Sequence, residues 1–196
     1  MEGDAGGFTN IMETTHVRPY LLLLHAKTME YRINGLDGLL LYVKSYILPS
    51  FDYCDVVWSG CTKAEALRLQ TLFNFACRIV LRRRRDYSAS AARRQLGLST
   101  LSAKRNLHLA QTMFKCLSFQ SLPYLSQLFS APSTHYNTRS SSSSQLNLPT
   151  TRTSFGQKAF SFAGASLWRS LPPDIRTLAD YKAFTNRCND FFSKVD

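Results

Sequence analysis

Across most of this chain apolar residues return every three or four positions rather than every two, and that period commits it to helices. Leu36, Leu39, Leu40, Val43 and Ile47 form one such face, and Pro49 is expected to stop it because the residue before a proline resists helical geometry. A short apolar segment, Phe51–Trp58, follows, and Ser59-Gly60 reads as a break. Thr62 and Glu65 have the spacing of a capping box, and Leu69, Leu72, Phe73, Ala76, Cys77 and Val80 make the apolar face of a long helix behind it. Ser88 opens a shorter helix through Arg93-Arg94 that closes near Gly97. Ser99 is placed to cap a second long helix, with Leu107, Ala110, Met113, Phe114 and Leu117 inward.

Leu122–Phe129 reads as a helical appendix introduced by Pro123. From Ala131 to about Ser154 the composition changes to Pro, Asn and the serine run Ser140–Ser144, as in an exposed linker. Phe155–Leu171 is rich in aromatic and small residues and ends at Pro172-Pro173; a last helix over Asp180–Ser193 turns Tyr181, Phe184, Cys188, Phe191 and Phe192 inward. Residues 1–35 show no sustained period beyond a short helical stretch over Tyr20–Tyr31. The expected fold is mainly α: a tail over 1–35, a helical domain over 36–130, a Ser-rich linker over 131–154, and a C-terminal aromatic and helical segment over 155–196 that packs on the core.

Charge is unevenly spread along these elements. Residues 1–61 hold four Lys/Arg against seven Asp/Glu, and residues 62–120 hold twelve against two, out of a net charge of +11 for all 196 residues. Such a concentration points to nucleic acid or another anionic partner. With 44% hydrophobic residues the chain can bury a core, so disorder throughout is excluded. Its five cysteines are widely spaced with no Cys-x-x-Cys, which suits neither a disulfide framework nor a zinc site and fits a reducing compartment. The first residues carry acids where a secretory signal carries Lys or Arg, and no apolar run reaches the ~20 residues of a membrane span. An intracellular protein, nuclear or cytoplasmic and not membrane-bound, is expected.

Candidate nucleic-acid-binding residues are Arg82, Arg83, Arg84, Arg85, Arg93, Arg94, Lys104 and Arg105, with Tyr87 beside the run as a base-stacking ring. The same run also has the composition of a nuclear localisation signal or of a solvated helix end. Asp52 and Asp55, beside Tyr53, raise a metal-pair reading; their apolar neighbours favour instead a helix start capped by one of them. His16, His25, His108 and His135 are scattered without ligand spacing. In Phe160-Ser-Phe-Ala-Gly-Ala-Ser-Leu-Trp168-Arg-Ser-Leu171-Pro172 the aromatics and small residues read as close packing anchored by Trp168 and Leu171, with base stacking by Phe160, Phe162 or Trp168 as the other use. There is no Gly-x-Ser-x-Gly, phosphate loop or nucleophile–base pair, so no catalytic residue, metal or cofactor is expected.

That last motif, from Phe160 to Ile175-Arg176, resembles the C-terminal end of polyproteins from LINE-type non-LTR retrotransposons. Two further stretches agree in order and spacing: Tyr46-Ile-Leu-Pro-Ser-Phe-Asp-Tyr-Cys-Asp-Val-Val-Trp58 resembles the segment after the palm, and Leu69-Gln70 through Val80 the helix behind it; Tyr136-Asn137-Thr138-Arg139 resembles the polar tract before the final motif. The resemblance spans about Leu36 to Phe192. It implies the helical thumb and C-terminal extension of a reverse transcriptase, thought to grip RNA template and target DNA. Nothing here corresponds to the palm's Tyr/Phe-x-Asp-Asp or to the endonuclease residues, so the resemblance implies a region without polymerase activity. Residues 1–35 depart from the family. A helical module that binds a protein, or itself, through the surface the palm once covered is the alternative, and a translated remnant without a role is another.

Overall fold

The computed structural model describes residues 35–57, 60–118, 123–130 and 145–195. All regular structure among them is helical. In chain order the elements are α1 (Leu36–Tyr42), a π-helical turn (Val43–Ile47), α2 (Leu48–Asp52), α3 (Lys63–Val80), α4 (Ala89–Gln95), α5 (Leu101–Ser118), α6 (Pro123–Ser126), a 3-10 turn (Gly156–Lys158), α7 (Phe160–Ser170), α8 (Pro173–Arg176) and α9 (Tyr181–Val195). Packing groups the chain into two compact units that meet in sequence at Leu101 and Ser102, inside the stretch read from sequence as one helical domain. The readings of 1–35 and of the serine run lie outside the described residues.

In the first unit Leu39, Val43, Ile47, Phe51, Leu69, Phe73, Ala76, Cys77, Val80 and Ala92 are buried in one cluster. Leu36, expected inward, is exposed. The helix also does not stop at Pro49. The ring of Pro49 would strike the carbonyl of Ser45 in a regular α-helix, and it brings no N–H. Here the chain widens by one residue: the Leu48 N–H donates to the Val43 carbonyl in a five-residue step, and Pro49 then sits in the first turn of α2, where its missing donor costs nothing. That shift keeps Ile47, Leu48 and Phe51 buried, with Phe51 edge-on to Phe73 of α3 at 6.0 Å.

Asp52 is the last residue of α2, and a turn through Tyr53–Val57 follows it. The expected helix start at Asp52 or Asp55 is therefore corrected, since the next α-helix among the described residues begins at Lys63. Asp55 is buried within that turn, and its N–H donates to the Asp52 carbonyl at 3.2 Å. α3 starts on the expected capping box: Glu65 N–H donates to Thr62 Oγ1 at 3.3 Å, and Thr62 N–H to Glu65 Oε2 at 2.7 Å.

The second unit buries Met113, Phe114, Leu146, Ala165, Trp168, Leu171, Ile175, Phe184, Cys188 and Phe192 together. Trp168 of α7 stacks on Phe184 of α9 at 5.8 Å, and Phe114 of α5 meets the same ring at 4.5 Å. Gly164 of α7 lies against α5, where a Cβ would stand 2.5 Å from Met113 Sδ. The small residues of the Phe160–Leu171 motif thus serve close packing, as their pattern suggests. α9 is capped by Asp180, whose Oδ2 accepts from the Ala183 N–H at 2.7 Å. Leu146, which the composition assigns to a linker, is tucked into this core, and Asn147 N–H donates to the Ser130 carbonyl at 2.9 Å.

One residue of this unit is out of keeping with its surroundings. Arg176 at the end of α8 is only 7% exposed, and its Nε and Nη1 are buried with no hydrogen-bond partner among the described residues. Burial, and then the positive charge of Arg169, pull its pKa below the usual arginine value.

Candidate nucleic-acid interface

The basic cluster grows from the end of α3. That helix buries Leu69, Phe73, Ala76, Cys77, Ile79 and Val80, and the face pattern ends at Leu81. Arg82 follows in the left-handed conformation, with φ of 50°. Its N–H donates to the Ile79 carbonyl at 3.0 Å, and the Arg83 N–H reaches back to the Arg78 carbonyl at 2.9 Å. This is a Schellman closure, whose left-handed position ordinarily falls to glycine because a Cβ there is strained. The closure turns the chain off the helix axis and sets Arg82, Arg83, Arg84 and Arg85 on the exposed connection to α4.

That connection is held at its far end. Arg78 Nε donates to the Tyr87 carbonyl at 2.8 Å, and the Tyr87 N–H to the Arg84 carbonyl at 3.1 Å. The Tyr87 ring is half-buried against the core, with the Arg83 guanidinium 5.3 Å from its centroid. The guanidinium of exposed Arg83 thus lies over the ring that the sequence offers for base stacking. Ser88 caps α4, and Ala92 buries the helix against the first core. Gly97, at φ of 64°, closes it through Leu98 N–H to the Arg93 carbonyl at 2.9 Å, the same motif with its usual residue.

Not every candidate does the same work. Arg82–Arg85 and Arg94 are exposed. Arg93 is half-buried, and its Nη1 donates to Asn74 Oδ1 at 2.7 Å. Asn74 Oδ1 also accepts from Gln70 Nε2 at 3.0 Å, while Gln70 Oε1 accepts from the Leu101 N–H at 3.0 Å. The first donor of α5 is thus met by a side chain on α3, two residues beyond the Ser99 that spacing alone would choose as its cap. Arg93 belongs to this relay and fixes α4 on α3. Lys104 and Arg105 are half-buried, engaged in interactions of their own, and fall in the second unit. The set brought together around the end of α3 is Arg82, Arg83, Arg84, Arg85, Tyr87, Arg93 and Arg94.

The relay of Gln70, Asn74 and Arg93 was missed by sequence reasoning. Its one sequence signal is the i, i+4 spacing of two amides on the polar side of α3. Beneath the cluster the Cys77 thiol is pushed up to about 11 by burial, with Arg93 and then Arg78 pulling in the opposite direction. Of the rings weighed for base stacking, Trp168 is buried and Phe160 packs edge-on to Phe129 at 5.5 Å, both core uses.

No known protein family, curated protein or solved structure matches this chain. Among the described residues no helix is long and apolar enough to cross a membrane.

Proposed function

We propose that this chain grips nucleic acid without sequence preference, as a non-catalytic thumb-like region of the non-LTR reverse-transcriptase type. The observation that carries this reading is the run of four exposed arginines on the α3–α4 connection, the first of them held in a conformation that favours glycine. A cation kept where glycine would be less strained is what a functional constraint on charge produces. Arg82–Arg85 meet phosphates by Coulomb attraction and bidentate hydrogen bonds, Arg94 extends the patch, and the Arg83–Tyr87 stack offers a plane to an unpaired base. The motif order quoted above supports the retrotransposon origin.

The test is a titration of the purified chain against single-stranded RNA and duplex DNA over a salt series. Affinity falls steeply with salt. Converting Arg82–Arg85 to alanine lowers the log–log slope by roughly three, at ~0.7–0.9 for each phosphate that is no longer neutralised. A slope that does not change in that variant refutes the interface.

A second reading, a protein-binding module, is favoured by the exposed Leu41, Tyr46, Tyr53 and Val57 of the first unit. Sedimentation that shows concentration-dependent association, unaffected by added RNA, selects it over the first.

A further inference from the structure

The α3–α4 connection ends on a hydroxyl whose setting has a chemical meaning of its own. Reading back from Ser88, arginines stand at the third, fourth and fifth positions before it: Arg85, Arg84 and Arg83. No other serine or threonine of the sequence has arginine both three and five residues ahead of it. Protein kinases that select basic substrates do so with acidic pockets placed to take guanidinium groups at such offsets from the acceptor. Arg83, Arg84, Arg85 and Ser88 are all exposed, on irregular chain between two helices. Ser88 Oγ is lightly held: it accepts from the Ala91 N–H at 3.5 Å and lies 3.0 Å from Ser90 Oγ. The arginine stretch Arg82–Asp86 ahead of it is exposed throughout, and Tyr87 is the one side chain between Leu81 and Ser88 that packs on the core.

We infer that Ser88 is the acceptor for an arginine-directed serine kinase, and that its phosphate releases nucleic acid from the basic connection. In that step the Ser88 oxygen attacks the γ-phosphorus of ATP and the bond from that phosphorus to the β–γ bridging oxygen breaks. ADP leaves, and the hydroxyl proton passes to the kinase's base. Residues 82–88 hold four arginines and one aspartate. A phosphate brings about −1.5 to −2 charges and three strong acceptors into that stretch, which offsets roughly half to two-thirds of its local excess of three. The guanidiniums that would bind a nucleic-acid phosphate then have one at hand in the same chain. The release rests on the nucleic-acid reading above; the identity of the acceptor does not.

The experiment treats the full chain with a recombinant arginine-directed serine kinase and Mg-ATP, maps the phosphate by peptide mass spectrometry, and titrates single-stranded RNA before and after. The control is Ser88→Asn, which keeps a good N-cap while it removes the hydroxyl. The expected result is one phosphate per chain on Ser88, none on that tryptic segment in Ser88→Asn, an affinity about tenfold lower near 0.15 M salt, and a salt slope reduced by about one to two. Unmodified Ser88→Asn binds as the wild type does. Phosphate on other residues with Ser88 untouched overturns the acceptor. Stoichiometric phosphate on Ser88 that leaves RNA affinity unchanged overturns the release. Unmodified protein that binds no RNA at any salt overturns the nucleic-acid reading and the release with it, while the phosphate map still decides the acceptor.

Discussion

Two arginines in this chain sit where arginine is expensive, and the physics of each cost differs. Arg82 is exposed and strained: φ of 50° brings its Cβ toward the following carbonyl, a cost of roughly 1–2 kcal/mol that glycine avoids. Arg82→Gly should therefore raise stability by about 1 kcal/mol and the melting midpoint by about 2–4 °C. The same change should lower the salt slope of RNA binding by about 0.7, so stability and grip move in opposite directions. A variant that melts lower refutes the strain. Arg176 is the converse, unstrained by backbone but buried with two nitrogens that find no partner among the described residues. Leaving a charged group desolvated and unpaired is the costliest arrangement a polar side chain has. Arg176→Met, of similar length and without charge, should stabilise by about 1–3 kcal/mol in chemical denaturation, and a loss of stability would mean that the guanidinium is paired in solution.

At the level of elements, the contrast lies between helices set by local chemistry and helices set by their neighbours. α3 carries its own start in Thr62 and Glu65, and α9 carries its own in Asp180. α5 instead begins where Gln70 on α3 can satisfy the Leu101 N–H. α7 depends on closeness: Gly164 sets it against the Met113 side chain of α5, and that buried thioether would have to shift to admit a Cβ. Gly164→Ala gains up to about 1 kcal/mol of helix propensity, yet overpacking a core costs typically 1–3 kcal/mol. The expected net is a destabilisation of about 1 kcal/mol, measured by urea unfolding. It should be relieved in the double variant with Met113→Ala, where the added methyl finds space, and additive effects in that pair would rule out the close approach.

Taken as a whole, the chain buries Cys77, Cys116 and Cys188 and sets its arginine run in solvent. Burial pushes Cys77 up to about 11 and Cys188 up to about 12, both above the usual thiol value of 9.0. Each thiol is raised relative to the unfolded chain, so its contribution is fully present below about pH 9 and is lost as pH climbs through 11 and 12. Melting midpoints should fall faster between pH 9 and 11 in the wild type than in a Cys77→Ala/Cys188→Ala variant, and parallel curves would count against the buried thiols. Much of this molecule was legible in the residues alone: the helical class from the period of Leu69, Phe73, Ala76 and Val80, the capping box of α3, the inward face of α9, and the close packing around Gly164. The arginine run was legible as charge. What could not be read was geometry that depends on residues far away in sequence. A proline acts only on its own turn, so whether Pro49 ends a helix or is absorbed by a π-helical step depends on whether Ile47, Leu48 and Phe51 have a core to fill. Arg93 and Arg94 look alike in sequence, yet one pairs with Asn74 on another helix and the other faces solvent. Local free energies of a few tenths to one kcal/mol per residue, summed along a segment, decide helix or not, and sequence carries them in full. Which side chain is buried, paired or left on the surface is decided by contacts across the fold, and these exist only once the chain has packed.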